Sequence, residues 1–214
     1  MGNCYVVRRG GSSSGGTGFN YVEGFQGIDS LNPIFSPVRD ASNQGIYLTN
    51  TNLYTRAGQS LTIEICMNLD ANRNRSGRYF EFNHFGVILS DEYWNDDYYI
   101  EIALNGDNWY FSRQETQIFE QDITMALVIE DDSSKIYRNG SLLLTSSDVK
   151  NSMIPDTYNN IDGNDLHIME GDTSSRYAPG KFYAFRFYNK ALTASEIAQN
   201  YQEDLKLISL VNGS

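Results

Sequence analysis

At 214 residues, with 13% aromatic side chains and a net charge of -11, the chain is long enough for one core that buries roughly 70% of its unfolded surface without staples. Basic residues gather only at Arg8-Arg9 and at Arg73, Arg75 and Arg78, which excludes nucleic acid as the expected partner. No apolar run reaches membrane-spanning length and no apolar h-region follows the start, so neither a membrane anchor nor a secretory signal is expected, although a mature form could have lost the latter.

Two cysteines, Cys4 and Cys66, read as free thiols, with a bridge between them left open; that leans away from a disulfide-built secreted scaffold. MGNCYV begins like a myristoylation signal, but Val6 stands where Ser or Thr is required.

Residues 1–19 form an arm. CYVVRR (Cys4–Arg9) can add one short strand, and GGSSSGGTG is flexible-linker chemistry. Residues 20–60 are rich in loop signals, with Pro33 and Pro37 as punctuation and GIYLTN (Gly45–Asn50) as a short strand. LTIEICMNL (Leu61–Leu69) alternates strictly, with Ile63, Ile65 and Met67 on one face and Glu64 and Cys66 on the other. DANRNRSG is a polar turn, and Tyr79–Leu89 reads as one long strand broken near Gly86. Asp91–Asp97, DEYWNDD, reads as a loop. Tyr98–Leu104 alternates again, and Asn105-Gly106 is hairpin chemistry leading to Trp109–Ser112. Ile123–Glu130, Lys135–Arg138 and Ser141–Thr145 form a meander turning at Asn139-Gly140. A polar connection, a short strand at Leu166–Met169 and a loop follow.

GKFYAFRFYNKALTASEIAQNY (Gly180–Tyr201) reads as a strand running into a helix. Alternation places Tyr183, Phe185 and Phe187 on one strand face and Phe182, Ala184 and Tyr188 on the other. Thr193 and Glu196 make a capping box, and Ile197, Tyr201 and Leu205 form a narrow apolar stripe on a surface helix. Leu207, Ile208, Leu210 and Val211 form a tail able to dock on the domain. About ten strands with frequent turns and one helix make an antiparallel all-β sandwich, expected as a single domain over 20–214 behind the 1–19 arm.

KIYRNGSLLLTS (Lys135–Ser146), LTIEICMNL and GKFYAFRFYNKALTASEI resemble the hairpin, the early strand and the closing strand-to-helix step of laminin-G-like, concanavalin A-like domains. The resemblance spans roughly Gly45 to Tyr201. ITMALVIEDD (Ile123–Asp132) departs from it, because no Trp or His opens that strand. The resemblance implies a two-sheet jelly roll with one short C-terminal surface helix. It implies little about activity, because the fold carries lectins, carbohydrate-binding modules, hydrolases, adhesins and virion proteins alike.

Hydrolases of this fold carry an E-x-D-x-x-E run that puts two carboxylates on one strand face. This chain has no such run, and Glu64, Glu81 and Glu101 stand as isolated outward positions. His84 and His167 lack ligand spacing and read as sheet-face histidines. No catalytic set is expected. Calcium is the one cofactor to weigh, through Asp91, Glu92, Asp96 and Asp97, or through Asp162, Asp165 and Asp172, each set being a solvated acidic loop otherwise. Tyr93, Trp94, Asp96 and Asp97 make a glycan-contact patch, with Trp94 either stacking on a sugar or packing over the sandwich end. Trp109, Tyr110 and Tyr99 present on a nearby strand face, or Trp109 belongs to the core.

The expected role is therefore a non-enzymatic structural or adhesion module, carried as a fibre or decoration protein of a bacteriophage virion. Cys4, Tyr5, Val6, Val7, Arg8 and Arg9 would anchor the arm to other chains of the assembly, and homo-oligomers suit the exposed edges. The alternative is a carbohydrate-binding module of a bacterial surface or secreted protein, with a cell-surface glycan as partner.

Overall fold

The computed structural model describes residues 6–9, 21–22, 26–36, 46–48, 54–70, 77–82, 87–94, 97–104, 108–115, 120–156, 166–169, 178 and 180–213. Two antiparallel sheets face each other. The first holds seven strands in the order β1 (Val6–Arg9), β2 (Gln26–Ser36), β13 (Gly180–Tyr188), β4 (Leu61–Leu69), β9 (Asp122–Ile129), β10 (Ser134–Arg138) and β11 (Ser141–Ser146). The second holds six, in the order β3 (Ile46–Leu48), β12 (Leu166–Ile168), β5 (Gly77–Phe82), β6 (Val87–Trp94), β7 (Asp97–Leu104) and β8 (Asn108–Glu115). This is the mostly-β sandwich that the turn spacing predicts, with one C-terminal helix, α1 (Ala194–Asn212).

Alternation sends one side-chain set of each strand between the sheets. Ile63, Ile65 and Met67 of β4 and Met125, Leu127 and Ile129 of β9 meet Phe80 and Phe82 of β5 and Ile100, Ile102 and Leu104 of β7. Phe185 lies edge-on to Phe80 at 5.9 Å between ring centroids, and Phe187 sits 5.4 Å from Phe82. Each such side chain contributes about 1.5–3 kcal/mol on full burial. The hairpin between β10 and β11 turns where expected, because Asn139 and Gly140 both take positive φ (51° and 75°).

Several expectations are corrected. The face assignment in β13 fails at a bulge: Phe182 pairs with Met67, but Ala184 pairs with Cys66, leaving Tyr183 as the extra residue. Phe182 therefore joins Phe185 and Phe187 in the sandwich core, while Tyr183, Ala184 and Tyr188 face the helix side. Residues 26–36 form a long strand rather than loop. Pro33 falls within a shift of register against β13, between Ile34 opposite Phe182 and Asp29 opposite Ala184, where a missing N–H costs no ladder bond. The long strand expected over Tyr79–Leu89 is two strands, β5 and β6, folded as an antiparallel pair with Phe82 opposite Val87. Asp91–Asp97 is not a loop: β6 runs to Trp94 and β7 starts at Asp97, so these residues are hairpin arms rich in strand-forming aromatics.

The helix begins as its sequence dictates. Glu196 N–H donates to Thr193 Oγ1 (3.3 Å) and Thr193 N–H to Glu196 Oε2 (2.8 Å). It runs on through the expected tail to Asn212, and its buried face is Ile197, Asn200, Glu203, Asp204, Leu207, Ile208 and Val211. The stripe of Ile197, Tyr201 and Leu205 is thus misplaced, since Leu205 is exposed. The polar residues Asn200 and Asp204 turn inward instead, because the sheet beneath them is charged.

Candidate functional site

Strand register lays out the outer face of the six-stranded sheet as a grid. Arg78 of β5 stands opposite Ser90 of β6, Ser90 opposite Glu101 of β7, and Glu101 opposite Ser112 of β8. The next row runs from His167 of β12 through Glu81, Ile88 and Ala103 to Trp109. Towards the other end, Glu92 stands opposite Tyr99, Tyr99 opposite Gln114, and Trp94 opposite Asp97. Bulges in β5 and β8 keep these positions on one face. Both tryptophans of the chain occupy positions on it.

Burial divides the face. Arg78, Glu81 and Ser90 are buried, and Arg78 Nη1 is ion-paired with Glu81 Oε2. Tyr99 and Glu101 of β7 are half-buried, whereas Ala103 on the same face of β7 is fully buried. Ser90 Oγ is buried with no hydrogen-bond partner among the described residues, which is unusual for a polar atom held away from water. His167 is a sheet-face histidine, opposite Glu81.

The sets expected from sequence are split by the hairpin. Trp94, Asp97 and Glu92 share the outer face, whereas Asp91, opposite Ile100, and Tyr93, opposite Tyr98, take the other parity. Asp96 lies outside the described residues, as do Asp162, Asp165, Asp172, Cys4 and Tyr5. Among the described residues no group of three His, Cys, Asp or Glu is placed to hold a metal ion. Val6, Val7, Arg8 and Arg9 pair with Asp29, Ile28, Gly27 and Gln26 of the same chain. The row through Arg78, Ser90 and Glu101 is missed by sequence reasoning, although the alternation of Tyr99 and Glu101 with Ile100 and Ile102 marks β7 as a two-faced strand.

A second polar cluster lies on the opposite side, between the seven-stranded sheet and α1. Glu64 is outward as expected, but it is buried rather than solvated. Arg186 Nε donates to Glu64 Oε2 at 2.8 Å, and its two terminal nitrogens bind the Asp204 carboxylate at 2.7 Å each. Asn200 Nδ2 donates to Glu64 Oε2 (2.7 Å), and Thr124 Oγ1 to Asp204 Oδ2 (2.8 Å). The Tyr21 ring lies against the guanidinium at 4.5 Å, Tyr21 OH donates to Asp204, and Val22 N–H donates to Asn200 Oδ1 (2.8 Å). Burial pushes the Glu64 carboxyl above its ordinary value, against the pull of Arg186. Burial alone would lower Arg186, but Asp204 and Glu64 outweigh it and hold the guanidinium above its ordinary range. This cluster holds α1 and Tyr21–Val22 to the sheet.

The family profile described as the concanavalin A-like lectin/glucanases superfamily (Laminin_G_3) matches residues 40–198. The chain belongs to this family. A native heptameric SAP-like pentraxin from Limulus polyphemus superposes with a TM-score of 0.60 at 16% identity, over 79% of this chain and 82% of that one. Domain 4 of AbnA, an extracellular arabinanase from Geobacillus stearothermophilus solved with arabinotriose, gives 0.55 at 14% identity, over 94% and 82%. The CBM40 of a Ruminococcus gnavus sialidase, solved with α2,3-sialyllactose, gives 0.50 at 15% identity, over 73% and 95%. Against a whole sialidase chain from Trypanosoma rangeli, the family member spans only 24% of the partner. No curated protein sequence matches it. At these identities the likeness establishes the fold.

Proposed function

We propose that this concanavalin A-like domain is a glycan-binding module without catalytic activity, using the outer face of the six-stranded sheet. One observation carries the reading: positions Ser90, Glu101 and Ser112 form a polar row across the face, with the positions of Tyr99 and Trp109 in the rows on either side and that of Trp94 one row beyond Tyr99. Aromatic faces for sugar rings beside hydrogen-bonding groups for hydroxyls are what saccharide recognition requires. Two of the structural neighbours were solved with bound oligosaccharides, which supports the same use here. Glu81 and Glu101 are a poor hydrolytic pair. Strand β6 separates them by two spacings of about 4.8 Å, against about 5–5.5 Å between the carboxylates of a retaining enzyme, and Glu81 is ion-paired with Arg78.

A glycan array with the whole chain tests this. Binding is expected, and it should fall at least tenfold in Tyr99→Ala and in Trp94→Ala while the fold is kept. Absence of binding across the array sinks the reading. Glu92 and Glu101 are diagonal neighbours, so turnover of a bound glycan that is lost in E92Q or E101Q would replace binding with hydrolysis.

The module's setting is the second part of the proposal. β1 is an edge strand of the seven-stranded sheet, paired with β2, and Tyr21–Val22 is held beneath α1. Both attachments lie on the sheet opposite the glycan face. This suits a module held from behind by other chains of a larger assembly, whether a bacteriophage virion or a bacterial surface protein. Proteolysis of the isolated chain is expected to cut within residues 10–19; an arm fully protected without any partner sinks the anchoring role.

A further inference from the structure

Resting on the reading of residues 1–19 as an anchoring arm, we propose that Tyr21–Val22 is a plug and the ground beneath α1 its socket, and that the arm anchors to a second copy of this chain by exchange of plugs. The socket reads the plug as a binding site reads an extended peptide, through a side chain and through the main chain. The Arg186 guanidinium lies 4.5 Å from the centre of the Tyr21 ring, and Tyr21 OH donates to Asp204 Oδ1 at 3.1 Å. Val22 N–H donates to Asn200 Oδ1 (2.8 Å), and Val22 C=O accepts from Tyr188 OH (3.4 Å). The Val22 side chain packs in the cluster of Tyr188, Leu192 and Ile197. These partners belong to β13, to α1 or to the step between them, and the three hydrogen bonds span 183, 178 and 166 residues. The plug is thus held as a ligand is, by groups that owe nothing to its neighbours in sequence.

Two observations make a second copy the fitting partner. The first is that the socket loses by being emptied. Asn200 and Asp204 are at 0% exposure. Without the plug, Asn200 Oδ1 loses the Val22 donor and Asp204 loses the Tyr21 donor, and polar groups buried without partners are costly. An arm that carries its plug onto an unrelated protein leaves that loss in place. An arm exchanged with another copy refills each socket with identical groups, so every bond is remade. The pairing of Val6–Arg9 with Gln26–Asp29 is remade in the same way. The second observation is length. Only Glu23, Gly24 and Phe25 join Val22 to the start of β2 at Gln26. Short connections favour exchange, because a segment that must turn back within a few residues is relieved by running on to a neighbour.

The test uses the whole chain, concentrated and incubated at the foot of its urea transition, then returned to native buffer and sedimented. A dimer is expected that survives dilution, because both plugs must leave before it separates. Native mass spectrometry of mixed light and isotopically heavy protein should show hybrid dimers after the same treatment. Tyr21→Ala, which removes the plug's side chain, should abolish the dimer while the monomer keeps its fold. A chain lacking Gly24 and Phe25 keeps plug and socket but shortens the connection, and it should be dimeric without incubation. A wild-type chain that yields no dimer, a shortened chain that folds as a monomer, or a dimer that persists in Tyr21→Ala overturns the inference. The anchoring reading is judged separately, by proteolysis of the dilute monomer. Cleavage within residues 10–19 keeps that reading even where no exchanged dimer forms, and full protection sinks it.

Discussion

Replacing Arg186 by methionine tests whether the cluster under α1 is held by charge. The substitution keeps much of the side-chain length but leaves Glu64 and Asp204 facing each other, both at 0% exposure. It removes one hydrogen bond to Glu64, two to Asp204 and the stacking partner of Tyr21. Removing one member of a buried ion pair costs about 3–5 kcal/mol, because the remaining charge stays desolvated. For a chain of this size each kcal/mol lowers the unfolding midpoint by about 2–4 °C, so a fall of roughly 6–20 °C is expected. Urea unfolding followed by tryptophan fluorescence and thermal unfolding by circular dichroism should agree on it. The triple variant R186M/E64L/D204L should recover most of the loss, since an apolar set of similar volume carries no desolvation penalty. A loss below about 1 kcal/mol in R186M, or no recovery in the triple variant, refutes the electrostatic account.

Glu64 sets part of the pH dependence. Its carboxyl is held above the ordinary value of 4.5 by burial, so the folded state keeps a proton that the unfolded state releases. That contribution to stability is complete below pH 4.5 and is lost as pH rises through the raised folded-state value. Glu64→Gln should flatten the stability profile above that pH, and an unchanged slope would show that Glu64 ionises normally. Gly180→Ala should cost at least about 2 kcal/mol in urea unfolding, because its Cβ would stand 1.9 Å from the Asn68 carbonyl oxygen at a φ of 152°; a loss under about 0.5 kcal/mol would contradict that close approach. Cys66 is buried and burial pushes its thiol up. In a Cys4→Ser background it should resist thiol reagents natively and react in urea; rapid native labelling would show the helix side to be open.

Local chemistry made part of the fold legible. Asn139-Gly140 specifies its hairpin because both residues tolerate positive φ, and Thr193 with Glu196 specifies the helix start within four residues of sequence. Strict alternation fixed β4 for the same reason. What failed was set by distant partners. The bulge at Tyr183 is a property of the register against β4 and β2, not of the β13 sequence. Asn200 and Asp204 looked like a solvated helix face because amphipathicity counts polar residues without asking what charge waits beneath them; Arg186 and Glu64 are what waits. The candidate site was half legible. Tyr99 and Glu101 show their outward parity in the sequence, but only register joins them to Ser90, and only pairing across β6 and β7 turns an apparent acidic loop into two strand arms.

The cluster under α1 also sets the order in which the molecule can be completed. Tyr21 meets Asp204 across 183 residues, and Glu64 meets Asn200 across 136. During synthesis the seven-stranded sheet must wait for α1, which follows all of its strands in the chain, before Glu64 and Arg186 are covered. Contacts of such long sequence separation slow folding, and until they form the sheet presents a charged, half-built face that a neighbouring chain can engage. A chain cut short just before Asn200 would therefore hold every described strand without the closure, which makes α1 the element that commits the domain to its folded state.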